Sequence, residues 1–368
     1  MGDALVVGAG AIGRGFLPWC LAPEFRLTFV DASSALIQGL RKRSGFHTWM
    51  SIDGTLQPRF VGSAQFLLVE DLNQIDLESM DVCFVSVGPR NVEKLPPQLG
   101  QLRCPVYSLE NDPNTVQRVR ELLGIERVYF GIPDVISSSS ASPVNLASDP
   151  WAIHTEQGTL YLESPADPTD ENVRGLDAVW CDKDEIARQW EAKLYLHNSP
   201  HAIAAYLGSA FGYEYLHEGM ADLRIRKIVE GSLDEILQAL IIDSKRHPDE
   251  LTRLKQYAEK ELLRFSNSQL WDPIKRVARQ PLRKLRRFPD GRLTGVAELC
   301  LNRGIMPTNV LEGIAAALCY KDASDDDFPT LQLLQAYGIE QFLWHFAGIE
   351  PNGVLSSLIS KSYLRMSP

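Results

Sequence analysis

Ala4-Leu-Val-Val-Gly8-Ala-Gly10-Ala-Ile-Gly13-Arg-Gly15 is the stretch that decides the fold. Its first residues form a short, valine-rich apolar run with the character of a buried parallel strand. The glycines that follow stand in G-x-G-x-x-G order, and each has its own duty. Gly8 makes a tight turn, Gly10 lets the backbone approach a pyrophosphate, and Gly13 lets the following helix pack close to the strand. Ala11 and Ile12 complete the loop, and the helix start behind it offers unpaired N–H groups to phosphates. Context strengthens a pattern that is weak alone. A second apolar run, Leu27-Thr-Phe-Val30, ends in Asp31, 18 residues after Gly13. A carboxylate at that point accepts hydrogen bonds from a ribose hydroxyl and repels a 2′-phosphate, so the expected cofactor is NAD, not NADP. Arg26 and Arg41 lie too far from the strand end to reverse that preference.

Further strands are expected at Phe66–Val69, Val82–Val87, Pro105–Ser108 and Arg127–Phe130, each short and followed by turn or helix signals. They predict an α/β, Rossmann-type doubly wound sheet. Gly88-Pro89 and Glu110-Asn111 fall at strand ends, where such sheets bind ligands, and Gly88 and Asn111 join the expected cofactor neighbours. Hairpins are expected over Phe46–Val61, around Asp53-Gly54, and over Ala152–Glu163, around Gln157-Gly158. From Asp182 onward the apolar period lengthens to that of helices. Asp182 and Glu185 resemble a capping box, and long helical patterns run through 221–245, 249–265, 309–320 and 356–364. The organisation expected is a nucleotide-binding domain over 1–183 and an all-α domain over 184–368.

Just after that boundary comes Glu191-Ala-Lys193-Leu-Tyr-Leu-His-Asn198-Ser-Pro-His201. Lys193 and His201 project roughly 80° apart on an α-helix, whereas Asn198 lies roughly 140° from Lys193. Ser199 is a good N-cap and Pro200 suits the first position of a new helix. A bend at Asn198–Pro200 is therefore expected to gather the three side chains. Two readings compete on spacing alone: polar residues at a helix joint, or a base with two hydrogen-bonding partners. Downstream, Lys275–Arg287 is a basic run whose members are either solvated charges or, for a few, cations turned toward a polyol or phosphate.

The net charge of -10 over 368 residues argues against non-specific nucleic-acid binding. No apolar run is long enough to span a bilayer, and neither a signal peptide nor an anchor is expected. Six scattered cysteines without a C-x-x-C pair suit reduced thiols in a cytoplasmic protein, and no Cys/His cluster has zinc-ligand spacing. No metal is expected.

These pieces resemble the polyol-specific long-chain dehydrogenases, the mannitol dehydrogenase family, and within it the branch acting on mannitol 1-phosphate. The likeness runs through Val7–Phe16, Leu109-Glu-Asn111, the K-x4-N-x2-H signature, Ala205-Tyr-Leu-Gly208, Gly212–Glu218, Arg264-Phe-Ser-Asn267, Arg276–Lys284 and Leu311–Ala317. It implies NAD-dependent, metal-independent interconversion of a polyol phosphate and a ketose phosphate. Lys193 would be the general base, Asn198 and His201 would hold the reacting hydroxyl, and Asn111 would help hold the oxyanion. Arg276 and Lys284, with Arg283 beside them, would contact substrate. A monomer or homodimer is expected, with no nucleic-acid or membrane partner. Two features depart from the family: Pro133-Asp134-Val135 replaces a usual Asp-Arg pair, and Pro200 replaces a small residue. The rivals are a free mannitol or hexuronate substrate, and a non-catalytic NAD(H)-sensing regulator.

Overall fold

The computed structural model describes residues 1–21, 23–165, 173, 175–242, 248–286 and 291–366. The chain divides into two compact units, Met1–Trp190 with Gln269–Trp271, and Glu191–Ser268 with Asp272–Pro368. Among the described residues, no helix is long and apolar enough to cross a membrane.

Among the described residues the first unit has eleven strands: β1 (Gly2–Val7), β2 (Phe25–Asp31), β3 (Phe46–Ile52), β4 (Thr55–Val61), β5 (Gln65–Leu68), β6 (Val82–Val85), β7 (Val106–Ser108), β8 (Val128–Asp134), β9 (Ile153–Glu156), β10 (Thr159–Glu163) and β11 (Val179–Cys181). Eight make one sheet, ordered β11-β10-β8-β7-β6-β1-β2-β5. From β5 to β8 every neighbouring pair is parallel, and only the β8–β10 pair is antiparallel. Strand periodicity decides the cores. Ala4, Val6, Val82 and Phe84 face one fully buried cluster, while Leu5, Val7, Cys83 and Val85 face another. A parallel sheet covered on both faces has to be apolar on alternate and intervening residues alike, which is why these strands read as unbroken runs.

β3 and β4 form the expected hairpin, paired from Phe46–Val61 to Ile52–Thr55 across Asp53-Gly54. The second expected hairpin is absent. β9 pairs in parallel with β3, and β10 pairs with β8, so Gln157-Gly158 joins two different sheets. A turn signal fixes a change of direction; which edges the flanking strands find depends on remote partners.

The second unit is helical, with long members at Ser199–Ala210, Leu223–Ile241, Pro248–Phe265, Thr308–Leu318 and Val354–Met366. Small residues bring helices Ser199–Ala210 and Thr308–Leu318 together: a Cβ on Gly313 would overlap the Ile203 side chain. Ala202, Ala204, Ala205 and Ala315–Ala317 are buried along the same pair.

Candidate active site

In the first unit, the glycine loop lies past the carboxyl end of β1, between β2 on one side and β6 on the other. This is where the strand order reverses and doubly wound sheets take their ligands. Gly8 has φ +99°, and a Cβ there would strike the Ser86 carbonyl. A Cβ on Gly13 would strike the Gly8 carbonyl, whereas one on Gly10 would meet nothing within 4 Å. The loop is thus closed by protein at Gly8 and Gly13 and open at Gly10. Ala11 and Ile12 begin a π-helical turn, Ala11–Phe16, in place of an ordinary α-helical start.

Asp31, at the end of β2, accepts from Ala9 N–H and Ser33 N–H, both at 2.8 Å. Its carboxylate is therefore pinned beside the loop. Arg26 is paired with Asp3, and Arg41 donates to the Phe66 carbonyl and to Asp71, so both cations are engaged away from it. Past β6, Gly88 N–H donates to the buried Glu110 at 2.9 Å, joining that turn to Glu110-Asn111 at the end of β7.

Two supports of the loop were not signalled by the sequence pattern. Arg14 is buried within the motif and donates to the carbonyls of Ala9 and Trp151, both at 2.6 Å. Burial lowers its pKa to about 10, against the pull of Asp31 and Asp149. Ser137 donates to the Ala11 carbonyl at 2.6 Å, and Ser138 is wholly buried and bonded to the Trp271 carbonyl. What reads as a polar serine loop therefore braces the glycine loop. An arginine between two glycines of the motif was the available hint.

In the second unit the expected bend at Asn198–Pro200 is not formed. Asn198 and Ser199 have helical φ and ψ, and Asn198 makes no side-chain cap. Instead Lys193–Asn198 is a π-helical turn that leads directly into Ser199–Ala210. Pro200 has no N–H to donate and its ring crowds the carbonyl four residues before it. A wider turn just upstream relieves that conflict without breaking the helix. It also changes which residues share a face, because i→i+5 bonding brings residue i+5 back over residue i. Lys193 and Asn198 are five apart, so the π turn brings closer to one face a pair that an α-helix would set roughly 140° apart. Both are buried, and Asn198 Nδ2 has no hydrogen-bond partner among the described residues.

His201 follows on the same helix, stacked on Phe265 with ring centroids 5.3 Å apart. Its Nε2 lies 3.3 Å from Asp272 Oδ2. Asp272 also accepts from Arg276, with Nε at 2.7 Å and Nη2 at 2.6 Å. Burial depresses the His201 pKa, with Asp272 opposing. Burial works against ionisation of Asp272, but Arg276 and His201 outweigh it and hold the carboxyl below its ordinary value. Alongside, His197 Nδ1 lies 2.5 Å from Glu261, which also pairs with Arg264.

Of the basic run, Arg276 thus joins His201 through Asp272. Lys284 is buried, donates to the Arg279 carbonyl and sits over the Tyr206 ring at 5.4 Å. Arg283 is half-buried on the same short helix, Pro281–Leu285. Lys275 is exposed and 3.7 Å from Asp322. Arg287 lies outside the described residues.

Residues 186–337 match the mannitol dehydrogenase C-terminal domain family. This half of the chain is similar to the mannitol dehydrogenases. The similarity extends beyond that domain. A mannitol-1-phosphate 5-dehydrogenase of Thermoanaerobacter pseudethanolicus is 29% identical over 98% of this chain and 97% of its own. The enzyme of the same name from Caldanaerobacter subterraneus subsp. tengcongensis is 28% identical over 99% and 98%. Among solved structures, mannitol 2-dehydrogenase of Pseudomonas fluorescens, in ternary complex with NAD and D-mannitol, superposes with a TM-score of 0.74. It is 16% identical and aligns over 99% of this chain and 92% of its own. A substrate-free D-sorbitol dehydrogenase gives 0.67 at 16% identity, over 98% and 91%. The likeness to these two structures is one of fold, and the mannitol dehydrogenase fold is the one this chain adopts.

Proposed function

We propose that this chain is a metal-independent, NAD-dependent polyol dehydrogenase whose preferred reaction interconverts mannitol 1-phosphate and fructose 6-phosphate. The observation that carries the reading is the π turn over Lys193–Asn198, both of them buried, with the Asn198 carboxamide donor left unmatched among the described residues. A sensor has no need of such a pair, whereas hydride transfer from a secondary alcohol needs a base and a donor at one oxygen. NAD is supported by the open cradle at Gly10 and by the pinned carboxylate of Asp31, with Ala11, Ile12, Gly88 and Asn111 as its further neighbours.

Bound NAD+ would supply the hydride acceptor. Lys193, buried at the start of the π turn, takes the alcohol proton as a positioned base. Asn198 donates from Nδ2 to the developing alkoxide. His201 holds the hydroxyl in register. Asn111, at the end of β7, keeps the carboxamide-donor role that the resemblance implies. Arg276, Arg283 and Lys284 are the candidates for the phosphate, and the names of the relatives support a phosphorylated substrate.

One observation favours a second reading, the free polyol. Arg276 is already held by Asp272, and Lys284 by the Arg279 carbonyl and the Tyr206 ring. The neighbour solved with NAD and D-mannitol takes such a substrate. NADH oxidation with fructose 6-phosphate, fructose and a keto-uronate tests both. Several charge-assisted hydrogen bonds, each worth about 1.5–3 kcal/mol, should favour the phosphate by at least about a hundredfold in kcat/KM. Comparable values for fructose and its phosphate would establish the free-polyol reading. Normal NADH binding with no turnover on any of the three would leave a sensor. NADH should be preferred to NADPH, and less so in Asp31→Ser. Activity should survive prolonged treatment with a strong chelator.

A further inference from the structure

We infer that Asp272 is a positioning residue: it fixes the His201 imidazole with its proton on Nε2, so that Nδ1 is the ring's acceptor, and it holds the Arg276 guanidinium in the same frame. Asp272 is 1% exposed, and its backbone is clamped as firmly as its side chain. Leu216 N–H donates to its carbonyl at 3.0 Å, and Ile274 N–H donates to the Glu214 carbonyl at 2.9 Å just beyond it. Its two oxygens divide their work. Oδ1 takes both Arg276 donors, while Oδ2 lies 3.3 Å from His201 Nε2, an approach outside good hydrogen-bond alignment. Oδ2 and Nε2 are both buried and lack a hydrogen-bond partner among the described residues, so each is the nearest polar group that can satisfy the other.

An i,i+4 pair between Asp272 and Arg276 serving stability alone would gain little from burial, since exposed helix pairs contribute as they stand and desolvating two charges is costly. The second oxygen supplies the reason for burial. A carboxylate can only accept, so a neutral imidazole facing it must present an N–H. The bond made by one ring nitrogen sets the state of the other. Phe265 fixes the ring plane on one side. On another lies His197, 5.2 Å away between centroids, bound to Glu261 and through it to Arg264. His197, Glu261, Arg264 and Arg276 are thus ionisable groups described around the Asp272–His201 pair, and Asp272 is the carboxylate that lies against the His201 ring nitrogen. With Nε2 committed, Nδ1 is the atom left to accept from a ligand hydroxyl.

The consequence for turnover rests on the dehydrogenase reading; the tautomer does not. Long-range proton–nitrogen NMR spectra of the 15N-labelled full chain, without substrate, report which His201 nitrogen is protonated, with His201→Asn identifying the signal. The proton should be on Nε2. In Asp272→Asn the amide oxygen must turn to the Arg276 donors, which leaves the NH2 facing His201, so the proton should move to Nδ1. That variant should bind NADH normally and lose at least about tenfold in kcat/KM, mostly in kcat, as supporting partners of reactive groups commonly do. Asp272→Glu, which keeps the acceptor, should recover part of the loss. A wild-type proton on Nδ1, or one that stays on Nε2 in Asp272→Asn, overturns the inference. So does an Asp272→Asn enzyme with undiminished kcat/KM. The wild-type spectrum decides even if a variant misfolds. A wild-type chain inactive on all three substrates, yet with Nε2 protonated, would instead sink the dehydrogenase reading and leave the tautomer standing.

Discussion

Gly10 and Gly13 stand three residues apart in one loop, yet an added Cβ meets nothing within 4 Å at the first and the Gly8 carbonyl at the second. The two positions should therefore separate binding from stability. Gly10→Ala should melt like the wild type and bind NADH more weakly, because its methyl enters the space the pyrophosphate needs. Gly13→Ala should lose about 1–3 kcal/mol of stability through overpacking. Thermal melts and fluorescence titration with NADH check both, and equal melting temperatures for the two variants would contradict the geometry. Lys193→Ala should keep NADH binding and lower turnover by about 10²–10⁴-fold, the usual worth of a positioned acid–base group. Near-normal turnover would remove Lys193 from the chemistry. The glycines, Asp31 and the Lys193 signature were legible as residues because each is a local requirement of backbone or charge. Asp272 was not. Nothing near it in sequence marks it as the partner of His201, since the two meet only when distant segments pack.

At the scale of elements, the turn before Pro200 is the feature on which the candidate site depends. The sequence signalled that the helix must yield near Asn198–Pro200, but not how. A break with a Ser199 cap and a widened turn both satisfy a proline with no N–H to give. The second occurs because the chain from Ala192 to Gly208 is almost wholly buried, and an interruption there would leave backbone groups unpaired. Pro200→Ala restores the missing donor and should let Lys193–Asn198 relax toward α-helical bonding, turning Asn198 off the Lys193 face. Stability should hold or rise, since proline is the poorest helix former, while kcat/KM should fall on the order of 100-fold, as expected when a reacting group is displaced. Wild-type kinetics in that variant would mean the proline does not set the geometry.

For the whole molecule, pH is a direct probe. Burial depresses His201, and it depresses His154 as well, against the hydrogen bond His154 makes to the Gln269 carbonyl. Each therefore binds a proton more readily unfolded than folded. Their contribution is complete above the unfolded value of about 6.5 and is lost as pH falls below it. The melting temperature should thus decline between about pH 6.5 and 5. Asp272, held below the ordinary carboxyl value, keeps its contribution until lower pH. Calorimetry across a pH series at fixed ionic strength tests this, and a flat profile from pH 7.5 to 5 would refute it.

The sequence by itself determined the doubly wound sheet, the nucleotide loop with its acidic strand end and the helical second half. Those features follow from periodicity, from glycine where a Cβ cannot fit, and from charge at fixed short spacing, all of which neighbouring residues settle among themselves. Only the tertiary structure decided that β9 joins β3 and not β10, that Ser137 braces the glycine loop while Ser138 holds the Trp271 carbonyl, that the helix widens at Lys193, and that Asp272 lies between His201 and Arg276. Each of these outcomes is chosen by burial: an edge, a hydroxyl, a carbonyl or a carboxylate cut off from water must find its partner in whatever part of the chain packs against it.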